Sequence, residues 1–208
     1  MGRPSARGLE TRRRLLEAAA ADLVARGGAA EVASIAARVG ASVGLIYRHF
    51  GSKAGLLAAV VEDFYDRLDA LVFAPGPEPG ADWPTDARRR TERDVLFHYA
   101  EPLAPVILGH LGREPAVAAV EARRLARQIA GAAASVAWGQ RNGEIPADLD
   151  PGLAGAMVVG GFRQALGTAL ARPARPPEAW LVEELWRLVV AAVRCIPAVP
   201  RGEAAWRS

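Results

Sequence analysis

Apolar residues in this 208-residue chain recur at steps of three and four almost from end to end, and the Val-rich alternation of a strand is absent. That spacing puts one side chain per turn on a single face of an α-helix, so the periodicity predicts an all-α fold. Glycine and proline divide the pattern into about nine helices. Leu9, Leu16, Ala20 and Leu23 share one face of a first helix that stops at Gly27-Gly28. A short second helix carries Val32, Ile35, Ala36 and Val39 and ends at Gly40. Ser42 is placed to cap a third helix through His49, and Ser52 a fourth from about Lys53 to Phe73.

The stretch Ala74 to Pro84 holds four prolines among glycines and reads as a surface loop. A helix from about Thr85 to Ala100 follows, then a segment kinked at Pro102 and Pro105. A long helix from about Pro115 to Arg141 has Leu125, Ile129, Ala132 and Val136 as its apolar stripe, and the run from Asn142 to Pro146 ends it. Two last helices are expected over Asp150 to Ala171 and Pro177 to Ile196, with loose residues after Pro197.

Composition narrows the class. Apolar residues at 51% and charged residues at 24% supply a sizeable core and exclude disorder for most of the chain. One cysteine, Cys195, allows neither an internal disulfide nor a cysteine-based zinc site, which fits a reducing cytoplasm. Glu17 and Asp22 interrupt the alanine-rich N-terminal stretch, so it lacks a signal-peptide core. The most apolar stretch, Leu153 to Leu170, carries Arg163 and Gln164 and reads as a buried helix, so no membrane partner is expected. Residues 1 to 53 hold nine cations against four acids; as the whole chain carries +3, the remainder is slightly acidic. That asymmetry points to a polyanion met by the N-terminal segment alone.

The residues that carry function lie between 32 and 53. Two short helices are separated by Gly40-Ala41-Ser42. Ala36 is small where two backbones must cross, Gly40 can take the left-handed conformation that turns the chain, and Ile35, Val39, Ile46 and Phe50 form the inward face. What remains on the surface is Ser42, Val43, Gly44, Tyr47, Arg48 and His49, a patch rich in donors and free of acid. A helix laid in the major groove of DNA needs such a surface, with base edges met at its N-terminal end and phosphates along its flanks.

In this region the sequence resembles the TetR family of bacterial transcriptional repressors. Ile35-Ala36, Gly40, Ser42, Gly44, Tyr47, Phe50, Ser52, Lys53 and Leu56-Leu57 stand at the family's spacing. The body matches in length, in helix order and in the turn running from Gly143 to Pro151. The resemblance implies a three-helix helix-turn-helix domain over residues 1–54, with a basic N-terminal arm, joined to a helical effector-binding and dimerisation domain over 55–208. It further implies that Tyr47, His49 and Lys53 bind phosphates while Val43, Gly44 and Tyr47 approach bases. Leu45 and Val43 replace polar residues common in the family, and Glu31 stands where a capping Thr or Ser is usual. Arg48 and the arm bearing Arg3 and Arg7 are therefore expected to carry more of the electrostatic affinity, and Val43 to read a thymine methyl.

The penultimate helix carries Leu153, Met157 and glycines at 160, 161 and 167, and the last helix is apolar on more than one side. Such a helix is central to its own domain or shared with a partner chain. The resemblance favours a homodimer, with Met157, Gly161, Leu185, Trp186 and Val189 at the contact. Paired subunits would read an inverted repeat in duplex DNA. Polar residues interspersed in the apolar helices of the body, among them Tyr99, Glu101, His110, Ser135 and Gln164, suit a cavity for a small organic effector, with His98, Gln128, Trp138 and Arg163 as the chosen contacts. Release from DNA by that ligand, with the fourth helix as the lever, comes from the resemblance.

Two other readings compete. An enzyme is disfavoured: His49, His98 and His110 form no metal-ligand pattern, Cys195 has no nearby histidine, and no phosphate-cradling glycine loop is visible, so no catalytic residue, metal or cofactor is expected. A DNA-binding regulator without effector, its body serving only dimerisation or a protein partner, is the alternative that the N-terminal segment leaves open.

Overall fold

The computed structural model describes residues 6–73, 76–109 and 114–194. Within them lie nine α-helices and no strand: α1 (Ala6–Ala25), α2 (Val32–Arg38), α3 (Val43–Phe50), α4 (Lys53–Leu68), α5 (Trp83–Ala100), α6 (Ala104–Gly109), α7 (Pro115–Arg141), α8 (Pro151–Leu170) and α9 (Glu178–Arg194). Five residues, Asp69–Phe73, continue α4 as a π-helix. No helix among the described residues is long and apolar enough to cross a membrane. Arg3, Pro75, His110, Cys195 and the tail after Pro197 lie outside the described residues.

The expected caps form. Ser42 Oγ accepts the Leu45 N–H at 3.2 Å and Ser52 Oγ that of Gly55 at 3.0 Å. Asp150 caps α8 through Leu153 N–H at 2.8 Å. One boundary differs from expectation: Asp82 accepts the Thr85 N–H at 2.8 Å, so α5 starts at Trp83 and Pro84 sits in its first turn, where a missing N–H costs nothing.

Helices α1 to α4 wrap a core of Leu15, Leu23, Ile35, Ile46, Leu56 and Val60, while Leu9 extends beyond it and is exposed. Helix α4 belongs to two neighbourhoods. Near its start, a Cβ on Gly55 would collide with the carbonyl of Phe50, so only glycine permits this corner between α3 and α4. Farther along, Phe64 meets Phe97 and His98 of α5 edge to face. A second apolar cluster, Trp83, Ala87, Val136, Ile145, Ala154, Val189 and Val193, fills the far end of the body.

The turn after α7 builds that end. Ile145 tucks against Gly139, where a Cβ would stand 2.8 Å from its Cδ1. Glu144 accepts the Trp83 N–H at 3.0 Å, and Gln140 donates to the carbonyls of Pro146 and Leu149. The run from Gly143 to Pro151 thus fixes where α5 begins and where Trp83 points.

The stripe expected on α7 is displaced by about one residue along its first part, while Val136 is buried as expected. The buried positions of α7 are Val117, Val120, Arg124, Gln128, Val136 and Gly139, with Leu125 and Ile129 only half-buried. Arg124 can be buried because Glu62, Asp66 and Asp69 surround its guanidinium. Burial opposes its charge, but hydrogen bonds to Glu62 and Asp66 outweigh it and push its pKa up.

Candidate nucleic-acid interface and effector cavity

Helix α3 follows the turn made by Gly40 (φ +65°) and ends at Gly51 (φ +76°), both in the left-handed region that glycine adopts without strain. Its Ile46 is fully buried, and Phe50 packs half-buried on the core. Ser42, Val43, Gly44, Tyr47, Arg48 and, just beyond the helix, Lys53 are exposed; His49 is half-buried. Tyr47 is 44% exposed and Val43 37%, so the candidate reading surface is presented outward. Leu45 is half-buried.

Local ion pairs sort the surrounding charge. Arg13 is held by Glu10 and Glu17, and Arg26 by Asp22 and Glu31. Arg7, Arg38, Arg48 and Lys53 make no ion pair among the described residues and are exposed. Arg12 lies over the Phe50 ring, 5.2 Å from its centroid. The cations left without a carboxylate therefore include the two that flank the end of α3.

A residue not singled out above braces this unit. Asp22, buried on α1, accepts the Glu31 N–H at 2.9 Å, the Ser34 hydroxyl at 2.7 Å and the Arg26 Nε–H at 3.2 Å. Glu31 offers no side-chain cap, so Asp22 ties down the start of α2 from the neighbouring helix. Burial works against its ionisation, yet the Glu31 N–H, Ser34 and Arg26 prevail and hold the carboxyl below its usual range. The sequence signal was an acid on the apolar side of α1.

In the body, a cavity of about 110 Å³ lies at the seam of the two apolar clusters. Of the residues expected there, His98, Gln128, Ser135 and Arg163 line it. Trp138 does not: it packs half-buried on the second cluster. Tyr99, Glu101 and Gln164 are also elsewhere; Tyr99 donates to the Pro176 carbonyl and Glu101 pairs with Arg67. Missed by sequence reasoning were Tyr65, Arg90, Thr91 and Asp94, which come from α4 and the polar-looking α5. Arg163 donates to the Tyr65 hydroxyl and, at 2.8 Å, to Glu121. Burial raises the Tyr65 pKa despite that guanidinium.

The contact residues expected on α8 and α9 divide. Met157 and Gly161 are exposed. Leu185 and Val189 are instead buried in the chain's own clusters, and Trp186 packs half-buried beside Trp83, ring centroids 6.2 Å apart, because α9 turns these positions towards α5 and α8. The exposed large apolar side chains of α8 and α9 are Leu153, Met157, Trp180 and Leu188. A Cβ on Gly160 or Gly161 would meet nothing within 4 Å. Among the described residues no group of three or more His, Cys, Asp or Glu could hold a metal ion.

A capped, outward-facing second helix on a glycine turn, braced by two others and joined to a larger helical body, defines the class of helix-turn-helix DNA-binding transcriptional regulators. Residues 15–60 match the family described as bacterial regulatory proteins, tetR family. That match covers the helix-turn-helix segment, and the whole chain has the fold of TetR-family transcriptional regulators. A structure from Rhodococcus sp., assigned to the TetR family of transcriptional regulators, is 25% identical, with a TM-score of 0.68 over 88% of this chain and 99% of that one. GusR of Salmonella enterica is 24% identical, with a TM-score of 0.72 over 89% and 96%. The fatty acid degradation regulator FadR of Bacillus halodurans shares the fold at 16% identity, with a TM-score of 0.71 over 86% and 94%. No curated protein matches the chain.

Proposed function

We propose that the protein is a homodimeric repressor that binds a palindromic operator and leaves it when a small organic molecule occupies the body. The observation that carries the DNA-binding half is the outward surface of α3: Ser42, Val43, Gly44, Tyr47 and Arg48 exposed, without an acid, beside unpaired cations. In this reading Tyr47, Arg48, His49 and Lys53 hold phosphates, and Val43, Gly44 and Tyr47 approach base edges. Residues 1–54 form the reader and 55–208 the sensor, with α4 reaching into both. Arg7 adds to the phosphate contacts from the start of α1.

The dimer contact is assigned to the exposed residues Leu153, Met157, Gly160, Gly161 and Leu188. Two glycines with space above them suit the close approach of a second helix. A single α3 spans only a few base pairs, and two of them about 34 Å apart supply the specificity one lacks. The cavity favours the sensor reading over an effector-independent regulator, since a body serving dimerisation alone needs no void lined by polar groups.

The decisive experiment selects bound duplexes from a random pool and measures affinity for the winner across a salt series. Recovery of an inverted repeat with steep salt dependence supports the reading; indifference to sequence at low ionic strength refutes it.

A further inference from the structure

We infer that the cavity is built for a small ring-bearing amine: a cation whose ammonium meets Asp94 and whose oxygen substituent accepts from Gln128. This deepens the sensor reading above and rests on it. The polar groups of the wall are nearly all satisfied within the protein. Thr91 donates to the Ala87 carbonyl, Ser135 accepts from Trp83 Nε1, Arg90 pairs with Asp86 and Arg163 with Glu121. Two buried atoms have no hydrogen-bond partner, Asp94 Oδ1 and Gln128 Nε2. Both residues line this cavity, and Gln128 is only 9% exposed.

A buried acceptor and a buried donor left open cost stability, so a ligand that satisfies both recovers it. Asp94 Oδ1 lies 2.8 Å from His98 Nδ1, but that nitrogen is aligned instead with the Asp94 backbone carbonyl at 2.9 Å. Among the described residues Asp94 is the only acid on the wall, while both wall arginines have carboxylates of their own. Apart from the His98 ring 2.8 Å away, no group on the wall is placed to neutralise Asp94. Phe73, Trp83 and Phe162 add aromatic faces, which attract a cation and stack on a ring. A cavity of about 110 Å³ is close to the size that holds one benzene-like ring.

The test uses the full chain and three matched probes, 3-hydroxybenzylamine, 3-hydroxybenzyl alcohol and 3-hydroxybenzoate, with benzylamine as a fourth lacking the oxygen. Calorimetry should show the amine binding at least tenfold tighter than the alcohol, and the carboxylate weakest. Asp94→Asn should abolish that order while leaving the melting temperature equal or higher, because it removes a buried carboxylate oxygen that accepts no hydrogen bond. Gln128→Leu should weaken 3-hydroxybenzylamine severalfold and benzylamine hardly at all. Preference for the alcohol or carboxylate, or an Asp94→Asn protein that keeps the amine preference, overturns the inference but leaves the cavity as an effector site. Absence of binding by every probe overturns it as well. If Ala132→Trp, which fills the void, also leaves operator release by cell extract unchanged, the sensor reading fails separately.

Discussion

Replacing Asp22 by Ala removes one carboxylate that serves three donors. The Arg26 contribution is small, since that side chain is 43% exposed and its partner exchange with water is easy. The Glu31 N–H at 2.9 Å and the Ser34 hydroxyl at 2.7 Å remain, both partly buried. Hydrogen bonds to a charged acceptor contribute about 1.5–3 kcal/mol each, and partial rehydration of the abandoned donors trims the sum to roughly 3 kcal/mol. For a chain of this length about 2–4 °C accompanies each kcal/mol, so the melting temperature should fall by about 6–12 °C at fixed protein concentration. Acid supplies an internal control. Because the folded carboxyl is held below its usual range, its contribution is complete above the unfolded value near ~3.9 and disappears as pH falls through the folded value. The gap between wild type and Asp22→Asn should therefore be constant from pH 8 to 5 and close below about pH 4. Calorimetric scans across that series measure it. A loss under about 1 kcal/mol for Asp22→Ala, or a gap that does not narrow as pH falls below about 4, refutes the brace.

Arg48→Ala should weaken binding to all duplexes alike and reduce the slope of log affinity against log salt by about one, as read by fluorescence anisotropy; an unchanged slope removes Arg48 from the phosphates. Gly55→Ala drives a methyl into the Phe50 carbonyl, and a destabilisation on the order of 2 kcal/mol in chemical unfolding is expected, with operator affinity falling alongside. Met157→Arg, at an exposed position, should leave the fold intact but give a monomer by light scattering with at least 100-fold weaker operator binding; a dimer that survives moves the interface elsewhere.

Helix placement was readable because proline, glycine and capping serines act locally. Ser42 and Ser52 each bond a backbone N–H three residues on, and no distant contact is needed to foresee that. Facing was less readable where charge is buried in pairs. Arg124 looks like a surface residue until Glu62, Asp66 and Asp69 arrive from α4 and its π extension, and the first part of the α7 stripe shifts with it. Asp94 was masked by its neighbours, on a helix with six other charged residues among its eighteen. On α9, apolar residues on several faces announced two neighbours without saying which face met which. Leu185 and Val189 took the inner side and Leu188 the outer.

How occupancy of the cavity could reach α3 follows from the same pairs. Tyr65 stands on α4, two turns and more beyond Gly55, and its hydroxyl is fixed by Arg163 of α8, which also lines the void. Burial opposes the charge on Arg163, but Tyr65 and Glu121 hold it firmly protonated, so the guanidinium remains a donor with or without a ligand. On the other side, Arg124 clamps three acids of α4 and the π segment to α7. Helix α4 is thus tied to α7 by ion pairs at Glu62 and Asp66, with the Tyr65 hydroxyl between them bonded to Arg163 beside the ligand space, while its first turn sets the α3 corner. On the proposed sensor reading, a ligand that draws Arg163 from Tyr65 removes one tie within this clamped stretch of α4, and the expected consequence is a shift of α4 that carries α3 with it. Tyr65→Phe removes the hydroxyl and keeps the ring. It should preserve operator affinity within about twofold and cut the change caused by effector at least fivefold, a difference anisotropy resolves directly.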